Sequence, residues 1–399
     1  MLKDWPIALT YYYLTALVVA GGASAGFSLF QPCREHPSAK HDSFLDGFFA
    51  WDGEWYERIA TEGYSYNPKR QSSVAFYPGY PLAAARLSRL TGIAARPALL
   101  IVTHVSLIAA FLLLAAYVQE RYAETGADAV DYTLLAFGLL PTTYFFRMAY
   151  SESLFVLSLL AAMLAMQRGC RAIYVALIVG AATACRSVGV ALLPPLAMYV
   201  WSRARSPARA VAQGAALLPL ACWGLLAWMA FQWVAFDDPL AFVQTQQHWS
   251  TRQTSFLSWD GLAALITLRP IRSVYDPASP CYWGNFPPRD NPLFNLMFAN
   301  PIWFLFAVAL VTLGRAKGWL TNRETALAAG LLLIPYVLQA DRACMAAEAR
   351  YASSVFPAYL VLGRILSRLP GPLAAVLLAM SAVMLALYTA MFVSWYWFY

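Results

Sequence analysis

Trp51–Tyr64 reads WDGEWYERIATEGY and sets Asp52, Glu54, Glu57, Arg58 and Glu62 among four aromatic residues. Only 12% of the 399 residues are charged, so this density stands out from the rest of the chain. Ionisable groups held at a membrane surface between Trp and Tyr are costly, and a functional site is the default reading. A positioned carboxylate can take the proton of an attacking hydroxyl. Arginine binds a phosphate bidentately and stays charged at any working pH. Together they suit transfer of a group from an anionic phosphate leaving group to a hydroxyl, and Asp52 with Arg186 or Arg350 meets that requirement. Asp46 is the nearest competitor for the base, while Glu54, Glu57 and Arg58 read as a solvated helix face.

The elements that must position these residues are membrane helices. The chain is 60% hydrophobic, outside the range of soluble domains, and its apolar runs are continuous, which excludes the alternating pattern of a β-barrel. With about 20 residues needed per crossing, about eleven spans are predicted. They centre on residues 7–30, 97–119, 132–146, 154–166, 172–184, 188–201, 211–236, 293–313, 326–339, 355–366 and 373–393. The first reads as a signal anchor that is retained. The whole chain, residues 1–399, is then one transmembrane domain, with long polar intervals at about 31–96 and 237–292. The net charge of +7 is spread over short turns, which argues against nucleic acid as a partner.

Basic turns fix the orientation. With the N-terminus cytoplasmic, Arg121, Arg168 and Arg171, Arg203 to Arg209, Arg315 to Arg323, and Arg364 with Arg368 all fall inside. Both long intervals then face outside, and so does the C-terminal SWYWFY, whose aromatics would anchor in the headgroup region. Ala75–Ile93 has the pattern of a helix lying in the interface. The outer face collects Asp52, Arg147, Glu152, Arg186, His248, Trp249, Glu348, Arg350 and Tyr351. Cys33 and Cys281 share that oxidising side and are candidates for a disulfide that would leave Cys344 over, a pairing the sequence leaves open. The other cysteines and the histidines His36, His41, His104 and His248 show no metal spacing.

Several segments occur in the order found in one family. WDGEWYERIATEGY followed by AFYPGYPL, then AYSESLF, CRSVGVAL, DPLAFVQTQQHW and ARYASSVFP, together resemble the GPI mannosyltransferase II (PIG-V-like) family of GT-C membrane glycosyltransferases. One departure is Arg186-Ser187-Val188-Gly189, where the family has Arg-Ser-Asn-Gly. The resemblance implies a GT-C-type helical bundle with its first outer loop carrying the catalytic segment. It implies inverting transfer of a hexose, mannose first, from a polyprenyl-phosphate donor to a glycan, lipid or protein acceptor. Asp52 takes the place of the base, and Glu152, Arg186, Arg350, Tyr351, His248, Trp51, Tyr56 and Tyr64 line the site. No cofactor is required; a divalent metal is compatible but not needed, because Arg alone can neutralise a monophosphate. The likeness to prokaryotic members implies a bacterial inner membrane with the site extracytoplasmic. The alternatives are a lipid-linked-sugar flippase and a non-catalytic subunit of a glycan assembly complex.

Overall fold

The computed structural model describes residues 5–33, 43–122, 128–251, 258–289 and 294–396. His36, His41 and the last three aromatics of the tail lie outside the described residues. All regular structure among the described residues is helical. In chain order the helices are α1 (Trp5–Leu29), α2 (Asp52–Glu62), α3 (Gly79–Thr91), α4 (Ala95–Arg121), α5 (Asp128–Leu139) and α6 (Glu152–Gln167). Next come α7 (Ala172–Cys185), α8 (Leu193–Arg203), α9 (Pro207–Ala221), α10 (Trp223–Phe236), α11 (Ala241–Gln244) and α12 (Trp259–Ile266). The last are α13 (Arg269–Tyr275), α14 (Ala299–Ala316), α15 (Asn322–Pro335), α16 (Glu348–Ser353), α17 (Phe356–Leu366) and α18 (Gly371–Val393).

The protein is an all-α integral membrane bundle. Among the described residues four helices are long and apolar enough to cross a bilayer, α1, α4, α14 and α18, and two bent pairs raise this to six. One pair joins the 3-10 turn Pro141–Arg147 to α6 at 98°, the other α9 to α10 at 49°. The remaining runs read from the sequence as spans are shorter helices. The run 132–146 stops at Leu139 because Pro141 has no amide hydrogen to continue the ladder, and it resumes as a 3-10 turn. The run 188–201 is a 3-10 turn feeding α8, whose Pro194 and Pro195 are tolerated only in its first turn. A helix of 12–14 residues, such as α5, α7 or α15, is about 20 Å long against a hydrocarbon core of about 30 Å.

Helix α1 packs on α18 and α4, α4 on α6, α5 on α17, and α6 on α7. The α1–α18 contact is close because Gly22 and Gly26 have no Cβ: one added there would sit 2.4 Å from Ala386 O and 2.5 Å from Ala390 O. Leu373, Val376, Met380, Val383 and Leu387 of α18 remain exposed, as a lipid-facing stripe requires. Helix α3 occupies the segment read as interfacial, burying Tyr80, Ala84 and Ala85 and exposing Leu82 and Leu90.

The two ends of the bundle differ in charge chemistry. At one end Arg121 reaches Glu324 and the carbonyl of Trp319, Arg364 and Arg368 lie over Trp319, and Arg168 pairs with Glu120. At the other, Arg96 at the start of α4 bridges Asp46 at 2.5 Å and Glu57 at 2.8 Å. Helix α4 separates them by about 40 Å. The basic turns therefore share one end, and the carboxylate-rich segments share the other.

Candidate active site

A second apolar cluster underlies the carboxylate end, rich in aromatics: Phe48, Phe49, Tyr56, Phe76, Tyr80, Tyr144, Phe145, Tyr150, Phe392 and Trp395. Helix α2 starts on this bed. Its N-cap is Trp51, with φ 61° and ψ −115°, a left-handed conformation that costs a bulky residue about 1–3 kcal/mol. Two contacts hold it there. The Tyr150 hydroxyl donates to Ala50 O and accepts from the Asp52 N–H, both at 3.1 Å, so one phenol spans the strained residue. The Trp51 ring packs on Trp395 at 5.7 Å. Asp52 is thus the first residue of the helix and not its cap, and its carboxylate is turned toward α16.

Asp52 Oδ2 accepts from Arg350 Nη1 at 2.5 Å, across 298 residues of sequence. Arg350 Nε lies 2.8 Å from Glu152 Oε1, the same oxygen that takes the guanidinium of Arg186. Two carboxylates and two guanidiniums from α2, α6, the C-cap of α7 and α16 thus form one chain whose formal charges cancel. It is nearly dry: the side chains of Arg350, Asp52, Arg186 and Glu152 are 9%, 13%, 12% and 1% exposed. Aromatic faces complete the enclosure. Arg350 stands 5.1 Å from the Tyr150 ring, and Arg186 stands 5.3 Å from Tyr351. Tyr56 donates to Ser151 Oγ at 3.0 Å, which also takes a donor from Arg186 at 3.4 Å. Burial raises the Tyr56 phenol, so it remains a donor. Glu152 Oε2 has no partner among the described residues.

The structure thus brings together Asp52, Tyr56, Glu152, Arg186, Arg350 and Tyr351, with Trp51 as the backbone pivot. Two other residues read as site-lining make no contact with the ion-pair chain. Tyr64 packs its ring on Trp228 of α10 at 4.5 Å. His248 is a tie between loops, its Nε2 3.0 Å from the carbonyl of Pro68. Arg147 points down α1, to Tyr12 O at 3.0 Å and Thr15 Oγ1 at 2.6 Å. Asp46 is engaged by Arg96, which leaves Asp52 and Glu152 as the carboxylates set against the buried guanidiniums, Asp52 being the one from the first outer loop. Trp395 is buried against Trp51 and does not anchor in the headgroup region. Among the described residues no three His, Cys, Asp or Glu side chains gather as a metal site would require.

Sequence reasoning missed Tyr150 as a positioning residue. It sits in the AYSES segment, but its two bonds to the Trp51 pivot exist only in the folded chain. Tyr150→Phe is expected to loosen Asp52, cutting turnover about 10–100-fold with the donor KM unchanged. A thermal midpoint lowered by the loss of about 1–3 kcal/mol would accompany it. An unchanged turnover would show that the pivot does not need the phenol.

Glu348 is a further residue whose state shows only in the fold. It opens α16 two residues before Arg350, is 1% exposed, and its Oε1 has no partner among the described residues. Burial pushes its carboxyl well above the usual range. A raised folded pKa means the stabilising form is the protonated one, and stability falls as pH rises from the unfolded carboxylate value through the folded one. Glu348→Gln is therefore expected to raise the thermal midpoint at pH 8 relative to wild type and to flatten its pH dependence. A lower midpoint at pH 8 would contradict this.

The disulfide pairing that the sequence leaves open is settled by the fold. Cys281 is bonded to Cys344, with Cα atoms 5.1 Å apart, and not to Cys33. The second long loop folds over the segment preceding α16, where Arg269 reaches Asp341 at 2.8 Å and Asp260 at 2.8 Å, and this brings Cys281 to Cys344. Cys33 instead follows α1 to the end of α18, its N–H donating to Ser394 O at 3.0 Å. The bond closes 63 residues, so Cys281→Ser is expected to cost about 2–4 kcal/mol, read as a lower thermal midpoint in detergent. Equal midpoints with and without reductant would contradict it.

Human GPI alpha-1,6-mannosyltransferase 2 is 32% identical over 154 residues, covering 35% of this chain and 30% of that protein. The rat protein of the same name is 32% identical over 152 residues with the same coverage. The match thus spans under a third of the length of these relatives. Among solved structures, Archaeoglobus fulgidus oligosaccharyltransferase tethered to an NVT-sequon acceptor peptide has a TM-score of 0.44 at 13% identity, covering 99% of this chain and 55% of that one. The same organism's AglB in complex with an inhibitory peptide and a dolichol-phosphate has a TM-score of 0.45 at 12% identity, covering 98% and 56%. A family model, Mannosyltransferase (PIG-V), matches residues 9–398. The chain belongs to the PIG-V mannosyltransferase family.

Proposed function

We propose that this protein transfers a hexose, mannose first, from a polyprenyl-phosphate-linked donor to an acceptor at the extracytoplasmic face. The observation that carries the reading is the buried chain Asp52–Arg350–Glu152–Arg186 at the end of the bundle opposite the basic turns. Family membership and the name of the matched relatives speak for mannose. By the excess of Arg in the turns at the other end, that end is cytoplasmic and the site faces out.

In the reaction the acceptor hydroxyl attacks the anomeric carbon and gives its proton to Asp52. A new C–O bond forms as the bond from the anomeric carbon to the phosphate oxygen breaks, with inversion, and the electron pair leaves on polyprenyl phosphate. Arg350 and Arg186 are placed to meet the charge that develops there. The Tyr150 and Tyr351 rings lie against these guanidiniums, and the N–H groups not committed to Asp52 and Glu152 would meet the phosphate oxygens. Glu152 holds both guanidiniums on one oxygen and offers the other to a sugar hydroxyl.

Labelled polyprenyl-phosphate mannose, given with a membrane glycolipid extract as acceptor to the purified protein in nanodiscs, tests the reading. A new glycosidic product is expected. The bent pairs within residues 141–167 and 207–236 are the feature a lipid-linked-sugar flippase would share, and label moved across a bilayer without a new bond would favour that alternative.

A further inference from the structure

Beside α2, a cleft of about 590 Å³ is lined by Trp55, Arg58 and Arg70 with the polar groups of Ser65, Tyr66, Asn67, Gln71 and Ser72. Among the described residues no acid lines it. We propose that this cleft is the acceptor subsite and takes a sugar that carries an anionic group of the phosphate class. The assignment rests on the sugar-transfer reading of the neighbouring Asp52 cluster.

Position is the first argument. Trp55 lies one helical turn after Asp52 and Arg58 nearly two, about 4.5 and 9 Å along the axis. An acceptor seated at Trp55 and Arg58 is then within about one sugar's length of the start of α2, where the buried Asp52 stands behind the cleft and outside its lining. Preorganisation is the second. The cleft wall is the segment 64–72, fixed by ties to the second outer loop: Tyr66 donates to Gln244 Oε1 at 3.0 Å, Gln71 donates to His248 O at 3.2 Å, and His248 meets Pro68 O. Within the wall, Ser65 N–H donates to Ser73 Oγ at 2.8 Å and Ser72 Oγ donates to Asn67 O at 3.0 Å.

The third argument is charge. Arg58 lies 4.7 Å from the centre of the Trp55 ring, which holds the guanidinium plane while leaving its edge donors outward. Its acidic neighbour Glu62 is 3.9 Å away, with both side chains more than half exposed, a pair too weak to hold it. Asp238, outside the lining, stands within hydrogen-bonding reach of the Tyr66 hydroxyl, on the opposite side of the cleft residues from α2 in sequence. Arg58 and Arg70 thus offer a forked donor set to a phosphate, and Ser65, Asn67 and Gln71 supply the short polar groups that sugar hydroxyls use.

Methyl α-mannoside 6-phosphate, which cannot serve as a donor, and methyl α-mannoside, titrated calorimetrically into the full-length protein in one detergent, test the assignment. Wild type is expected to bind the phosphate-bearing probe at least tenfold more tightly. Arg58→Gln with Arg70→Gln is expected to erase that preference and keep affinity for the neutral probe; both positions are exposed, and the thermal midpoint confirms folding. Asp52→Asn is expected to keep the preference. Equal binding of the two probes by wild type overturns the proposal, as does a preference that survives the double substitution. Inorganic phosphate competing as well as the glycoside also overturns it, reducing the cleft to a bare anion site. If the preference tracks the two arginines but wild type transfers no labelled sugar, the sugar-transfer reading fails and the cleft stands as an anionic glycoside site. If wild type transfers sugar but shows no preference between the probes, the subsite assignment fails and the sugar-transfer reading stands.

Discussion

Arg350→Gln is expected to remove transfer and to destabilise the protein more than any other single change at the site. Arg350 links Asp52 to Glu152, and all three are buried. Without its charge Asp52 loses its guanidinium in a nearly dry pocket and faces Glu152, which keeps only Arg186. Breaking a buried ion pair by removing one partner costs about 3–5 kcal/mol, a large part of the roughly 5–15 kcal/mol that holds a typical domain. The catalytic loss adds to this, because a donor placed on developing charge is worth about 10²–10³ in turnover. Arg350→Lys is expected to fall between, since a single ammonium cannot reach both carboxylates with fixed geometry. Adding Asp52→Asn to Arg350→Gln should return part of the lost thermal midpoint and none of the activity. Additive losses of stability in the pair would show that the two side chains do not act together.

Asp52→Asn is the second large effect and the more selective one. The amide has nearly the shape of the carboxylate and can still accept a hydrogen bond from Arg350, so the α2 start and the Trp51 pivot should persist. What is lost is the ability to take a proton. General base catalysis is worth about 10²–10⁴, and turnover is expected to drop by that factor with the donor KM within a few-fold of wild type. Asp52→Glu keeps the base but moves it by one methylene toward Arg350, and a partial loss is expected from misplacement. A drop in donor affinity with turnover preserved would move Asp52 from base to binding residue.

Much of this was legible in the chain. A dense run of charge in an oily sequence pointed to Asp52, and the membrane-length runs 7–30, 97–119 and 373–393 are α1, α4 and α18 to within a few residues. Local signals could also place Glu152 and Arg186 at helix ends facing the same side. The contact between Asp52 and Arg350 was not legible as a bond, because it joins residues 298 apart and depends on how α16 is aimed. The same holds for Cys281 and Cys344: sharing a side of the membrane is necessary for pairing, but loop packing chooses the partner. Apolar composition does not distinguish a full span from a short helix followed by a 3-10 turn, and only the prolines at 141 and 194 hinted at the breaks. Tyr64 and His248 read as site residues because polar aromatics near a catalytic segment look alike in sequence. Packing sent Tyr64 to Trp228 and His248 to the Pro68 carbonyl.

The most direct measurement is single-turnover transfer from labelled polyprenyl-phosphate mannose by wild type and Asp52→Asn prepared side by side, with bound donor quantified in the same samples. The expected result is equal donor binding and a rate of glycosidic bond formation lower by about 10²–10⁴ in the variant. Rates within about threefold of each other at equal donor occupancy would contradict the assignment of Asp52 as the base.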